Sequence, residues 1–122
     1  MIGLIEPGDA HHKHAYTAIA DARLGGAEFI VPVSVLSEVM VGAYRNGTAT
    51  ERHHDIVGLF GPARPLDKTA ALVAAELRSR HGSLRLPDAL VIATGIVTDA
   101  AVLTCDRRLA RVDDRVEVIG AD

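Results

Sequence analysis

The order of segments predicts an α/β domain, a three-layer α/β/α arrangement with a mainly parallel central sheet. Three observations carry that reading. Short apolar runs at residues 29–33, 63–66, 101–105 and 116–119 are separated by longer stretches with helical patterning, and parallel strands need such crossovers between them. Aromatic residues make up only 3% of the chain and Trp is absent. The core must therefore be built from Ala, Val, Leu and Ile, which suits close helix packing and buried parallel strands. The length of 122 residues is that of one domain.

Glu6-Pro7-Gly8-Asp9 reads as a turn, with Asp9 placed to cap a helix running to about Leu24 and stopped by Gly25-Gly26. The β-branched run at 29–33 predicts a buried strand whose ladder ends at Pro32. Ser34 can cap the next helix, which carries Leu36, Val39, Met40 and Ala43 on one face and stops at Asn46-Gly47. A helix from Thr50 places Ile56, Leu59 and Phe60 at core spacing. After a short strand at 63–66, Asp67 caps a helix through His81, and residues 82–85 form a loop. Pro87 suits the first turn of a helix reaching about Thr98. A strand at 101–105, a helical turn at 107–110 and a last strand at 116–119 complete the chain.

The formal charge is −3, from 13 Lys and Arg against 16 Asp and Glu. A protein that held long nucleic acid by phosphate neutralisation alone would be basic, and the scarcity of aromatics disfavours a base-stacking platform. The single cysteine, Cys105, closes off an internal disulfide framework and any multi-Cys zinc site, and fits a reducing cytoplasm. No apolar run approaches the ~20 residues of a spanning helix, and the N-terminus lacks the form of a signal peptide.

Three carboxylates stand where the pattern asks for apolar residues. Glu38 is the only charged residue between Phe29 and Tyr44, Asp88 the only one between Leu86 and Thr98, and Asp106 directly follows an apolar strand. Each has an ordinary structural explanation. Glu38 and Asp88 sit in first turns where the helix dipole favours a negative charge, and Asp106 could cap the turn after it. Together they gain a second meaning. In a parallel sheet, ligands bind at the carboxyl ends of the strands, and all three acids lie near that edge. Carboxylates gathered there repel one another unless a cation holds them. An all-oxygen set suits Mg²⁺ or Mn²⁺, which can activate water for attack on a phosphodiester. Arg85, Arg107 and Arg108 lie near the acids in sequence and are candidate phosphate contacts.

The order Ser34-Val-Leu-Ser-Glu38, Leu86-Pro87-Asp88-Ala89-Leu90 and Leu103-Thr104-Cys105-Asp106-Arg107-Arg108-Leu109 resembles the PIN domain, most nearly the VapC-type ribonuclease toxins of VapBC modules. The resemblance runs over the whole chain, as a single PIN-like domain over residues 1–122. It implies that Glu38, Asp88 and Asp106 hold Mg²⁺ or Mn²⁺, and that Thr104 supports the site by hydrogen bonding. It further implies cleavage of RNA of the tRNA or rRNA class, a homodimer, neutralisation by a VapB-type antitoxin, and a cytoplasmic location. One family position has no match. PIN domains begin with a strand ending in Asp, and Met1-Ile-Gly-Leu-Ile5 resembles only the segment after that Asp; Glu6 and Asp9 lie further along still. The expectation is an N-terminal segment of about ten residues missing from the chain. That would bring weaker metal binding and a gap where the first strand belongs. Arg108 also stands where some members carry a further acid.

A non-catalytic or catalytically impaired PIN-like module that binds antitoxin or RNA is the alternative. A receiver-type signalling domain also clusters acids but wants a Lys near its last strand, and none occurs after Lys68. His11, His12 and His14, with His53 and His54, sit in polar stretches and read as solvated surface, not as a zinc site. Cys105 reads as a small buried side chain.

Overall fold

The chain builds its sheet around one central strand. In the computed structural model, which describes residues 2–3 and 29–119, β1 (Ile2–Gly3), β2 (Val102–Thr104) and β3 (Val116–Val118) form a parallel sheet in the order β1-β2-β3. The register pairs Ile2 with Val102 and Gly3 with Leu103 on one side, and Val102 with Val116 and Thr104 with Val118 on the other. With a strand on each side and helix against it, β2 is buried at every position, as an interior parallel strand of apolar composition should be. One edge of β2 is paired with the two residues of β1. The helix expected over 9–24, its Gly25-Gly26 stop, Glu6, Asp9 and the first His cluster lie outside the described residues.

Among the described residues from 29 onward there are four α-helices: α1 (Val33–Arg45), α2 (Ala49–Phe60), α3 (Lys68–Arg80) and α4 (Leu86–Thr98). The strand expected at 29–33 shrinks to bridge-type pairing, in which Pro32 faces Arg64 in parallel. Arg64 donates to the Val31 carbonyl and accepts from the Val33 N–H, at 2.7 and 2.9 Å. Pro32 then serves as the residue before α1, so the helix starts earlier than a Ser34 cap would allow. The Ser34 hydroxyl is inside the first turn, buried and without a partner among the described residues. The run at 63–66 likewise contributes only Arg64 to the pairing.

The core lies where α4 meets α3, α1 and β2. Helix α4 is apolar nearly all round and buries residues 88 to 95 on almost every side, the signature of a central helix. Pro87 opens it, where its missing N–H costs nothing. Asp99 closes it in the left-handed region at φ 55°, a conformation Asp tolerates better than most residues. Helix α3 presents Ala70, Ala74 and Leu77 to the core, and the two alanines allow close approach. Asp67 caps α3 by accepting from the Ala70 N–H at 2.9 Å.

Helix α2 departs from expectation. None of its residues is buried, and Leu59 is 46% exposed. The helix packs on α1; Ile56 and Phe60 are half-buried, and Phe60 meets Phe29 edge to face at 5.7 Å. No helix among the described residues is long and apolar enough to cross a membrane.

Candidate active-site cleft

Two of the three lone acids meet at one cleft. Asp106 lies just past the carboxyl end of β2, and Asp88 lies in the first turn of α4. Between them opens a cleft of about 690 Å³, lined by the loop after α3 (His81, Ser83, Leu84), by Arg85 and Asp88, and by residues of the turn after β2, from Asp106 to Leu109 with Arg111 and Val112. That turn is a 3-10 helix, Arg107–Arg111. The location agrees with the rule that ligands bind at strand carboxyl ends in open α/β sheets.

Asp106 is fixed from several directions. Its Oδ1 accepts from the Arg108 backbone N–H at 3.0 Å, which caps the 3-10 turn. The Arg108 guanidinium adds Nε to Oδ1 at 3.0 Å and Nη2 to Oδ2 at 2.9 Å. From behind, the Asp106 backbone N–H donates to the Thr104 hydroxyl at 3.1 Å. Thr104 is buried, so its oxygen anchors the backbone of the acid. The hydrogen bond from the Arg108 side chain holds the Asp106 carboxyl below its ordinary value, although burial pushes the other way. The same contact raises Arg108. The charge of Arg85 reaches Asp106, and that of Asp88 reaches Arg108, so the four groups share one electrostatic site.

Asp88 is only 7% exposed. A buried carboxylate needs a partner or a favourable field, and it has both. It sits at a helix N-terminus, where the dipole favours an anion, and Arg85 approaches its Oδ2 at 3.5 Å. The loop that carries Arg85 is held by Arg78, whose Nε donates to the Leu84 carbonyl at 3.1 Å.

Glu38 is an exposed residue of α1 and is not among the residues that line the cleft. Among the described residues, no three His, Cys, Asp or Glu side chains stand close enough together to hold a metal ion. The arginines named from the sequence, Arg85, Arg107 and Arg108, do line it, and Arg111, His81 and Ser83 join them. These last three were not legible as site residues, because polar side chains in a loop and a basic turn carry no contrast with their surroundings. The cleft sets four arginines against two aspartates, a local positive excess on a chain whose formal charge is −3.

The ligand types present suit a hard divalent ion, since Mg²⁺ is often bound by one or two carboxylates plus waters and substrate phosphates. In the described arrangement, however, both oxygens of Asp106 are engaged by Arg108.

A model of the PIN domain matches residues 1–115. Several solved structures resemble the fold. A toxin–antitoxin complex from Klebsiella pneumoniae aligns with a TM-score of 0.68 at 21% identity, over 83% of each chain. VapBC2 from Rickettsia felis, bound to a DNA fragment from its promoter, aligns with a TM-score of 0.75 at 14% identity, over 98% of this chain and 99% of that one. At these identities the likeness is one of fold. No curated protein matches the sequence.

Proposed function

The chain belongs to the PIN-domain family, and from that premise we propose that it is a VapC-type toxin, a Mg²⁺- or Mn²⁺-dependent endoribonuclease neutralised by a VapB-type antitoxin. The observation that carries the reading is the meeting of Asp88 and Asp106 on an arginine-lined cleft at the carboxyl end of β2. Asp88 and Asp106 would hold the metal, with Glu38 as the third acid implied by the resemblance. When bound, the ion supplies Lewis-acid stabilisation of phosphate charge and an acidified water.

The chain's own residues do the rest. Thr104 fixes the backbone of Asp106 through the hydrogen bond at 3.1 Å. The α4 N-terminus and Arg85, at 3.5 Å, offer the largely buried Asp88 carboxylate a favourable charge on either side. Arg85, Arg107 and Arg108 bind the RNA phosphates, and Arg111 extends that surface along the cleft. Charge of this sign draws a polyanion to one face of an otherwise acidic molecule. The reading also implies a homodimer acting in the cytoplasm on tRNA or rRNA, and the two neighbouring toxin–antitoxin complexes support an antitoxin as partner.

Asp88→Asn should abolish Mg²⁺-dependent RNA cleavage and growth inhibition, while circular dichroism shows the fold retained. Cleavage that survives this change refutes the assignment. The Arg108 clamp on Asp106 favours a second reading, a PIN-like module that binds RNA or antitoxin without turnover. Filter binding of RNA in the absence of any cleaved product would support that alternative.

A further inference from the structure

We propose that Arg108 is a resident counter-ion of the cleft, which competes with the divalent metal for Asp106 and changes partner to an RNA phosphate when the metal binds. The inference rests on the metal-dependent reading above and adds a regulation of the same site.

The contact is two-pronged. Nε and Nη2 of Arg108 address the two different oxygens of Asp106, at 3.0 and 2.9 Å, the fork-to-fork geometry in which a guanidinium binds a carboxylate most specifically. The fork takes one lone-pair direction on each oxygen, the cap N–H takes a second on Oδ1, and the guanidinium charge opposes a second cation on the same carboxylate, so a metal competes with Arg108 for Asp106. Arg85 differs, reaching one oxygen of Asp88 at 3.5 Å. The Asp106–Arg108 pair is therefore the tighter obstacle to metal entry.

The obstacle is also removable. The Arg108 side chain is 87% exposed, so nothing packed over it prevents rotation into water. Exposed ion pairs are weak, so the competition should reduce metal affinity by only about fivefold. Once released, the guanidinium remains tethered two residues from Asp106, in a cleft already lined by Arg85, Arg107 and Arg111. A phosphate oxygen is its natural replacement partner. Metal on Asp106 and phosphate on Arg108 then favour each other, and the coupling must be reciprocal. Arg108 thus acts as a positioning residue for the acid when the site is empty and as a phosphate contact when it is filled.

Mn²⁺ binding followed by calorimetry tests this without any catalytic readout. Arg108→Ala should tighten Mn²⁺ binding about fivefold, and Arg108→Lys, which loses the fork, should fall between that variant and the parent. Arg111→Ala removes the same charge from the same cleft and leaves the Asp106–Arg108 pair in place, so it should change affinity less than about twofold. An uncleavable single-stranded DNA should tighten Mn²⁺ binding to the parent and do so less for Arg108→Ala. Equal effects of the two alanine substitutions, or an Arg108→Ala affinity unchanged or weakened, overturn the competition and leave the metal site standing. Absence of Mn²⁺ binding from the parent and all variants overturns the metal reading itself, and the competition with it.

Discussion

Asp106 carries a structural task and a proposed chemical one, and two substitutions separate them. Its Oδ1 caps the 3-10 turn through the Arg108 N–H at 3.0 Å. Alanine at a capping position of this kind costs about 1 kcal/mol, within a range of roughly 0.5–2. The side-chain pair with Arg108 adds little, because the guanidinium is 87% exposed and water and salt screen such pairs. Asn keeps an oxygen for the cap and loses the charge together with the second acceptor that Arg108 Nη2 uses. Urea denaturation at pH 7 should therefore show Asp106→Ala destabilised by about 1 kcal/mol, the cost of the lost cap, and Asp106→Asn by clearly less. The Asn deficit should shrink further in about 0.5 M salt, as screening of exposed charges requires. Both variants should lose RNA cleavage. Equal destabilisation by Asn and Ala would refute the assignment of a capping role, and full activity in either would refute the catalytic one.

Three further outcomes rest on the same contacts and on the core. The folded-state value of Asp106 lies below its ordinary one, so its stabilisation is complete above about pH 3.9, the unfolded value, and is lost as pH falls through the lower folded value. Urea midpoints measured down through that range should fall more steeply for the parent than for Asp106→Asn, and parallel profiles would contradict this. Ile92 is fully buried in α4, and Ile92→Ala should cost about 2–5 kcal/mol in urea denaturation, a large share of a typical stability of roughly 5–15 kcal/mol. Asp67→Ala removes the α3 cap on Ala70 and should cost about 1 kcal/mol. It lies outside the cleft lining, so RNA cleavage should persist.

The parts of the fold that could be read from the sequence are those where one residue type admits one local geometry. Asp67 before an amphipathic run and Pro87 at the head of an apolar one mark the starts of α3 and α4, and the apolar run 101–105 contains β2. Boundaries failed where two neighbouring residues competed for the same task. Pro32 and Ser34 could each begin α1, and Pro32 prevails because it also sits opposite Arg64. The exposure of Leu59 was not legible because periodicity reports a face without saying whether anything covers it, and α2 packs chiefly on α1.

The site divides in the same way. Asp88 and Asp106 stand out because each is a lone charge in apolar company at the end of an element, and the fold brings those ends together. Glu38 has the same local signature, but its position on the exposed side of α1 is set by tertiary packing. The bidentate pairing of Arg108 with Asp106 depends on side-chain rotation after a cap. Spacing alone would argue against it, since residues two apart do not face each other in a regular helix.

The central claim is that Asp88 and Asp106 form a metal-dependent RNA-cleaving site. The most direct measurement titrates Mn²⁺ into the parent protein and Asp88→Asn, with thermal stability and cleavage of an RNA substrate read in the same samples. A metal-dependent rise in melting temperature together with cleavage is expected for the parent, both reversed by chelation and both lost in Asp88→Asn. Cleavage without added metal, or cleavage undiminished in Asp88→Asn, would contradict the claim.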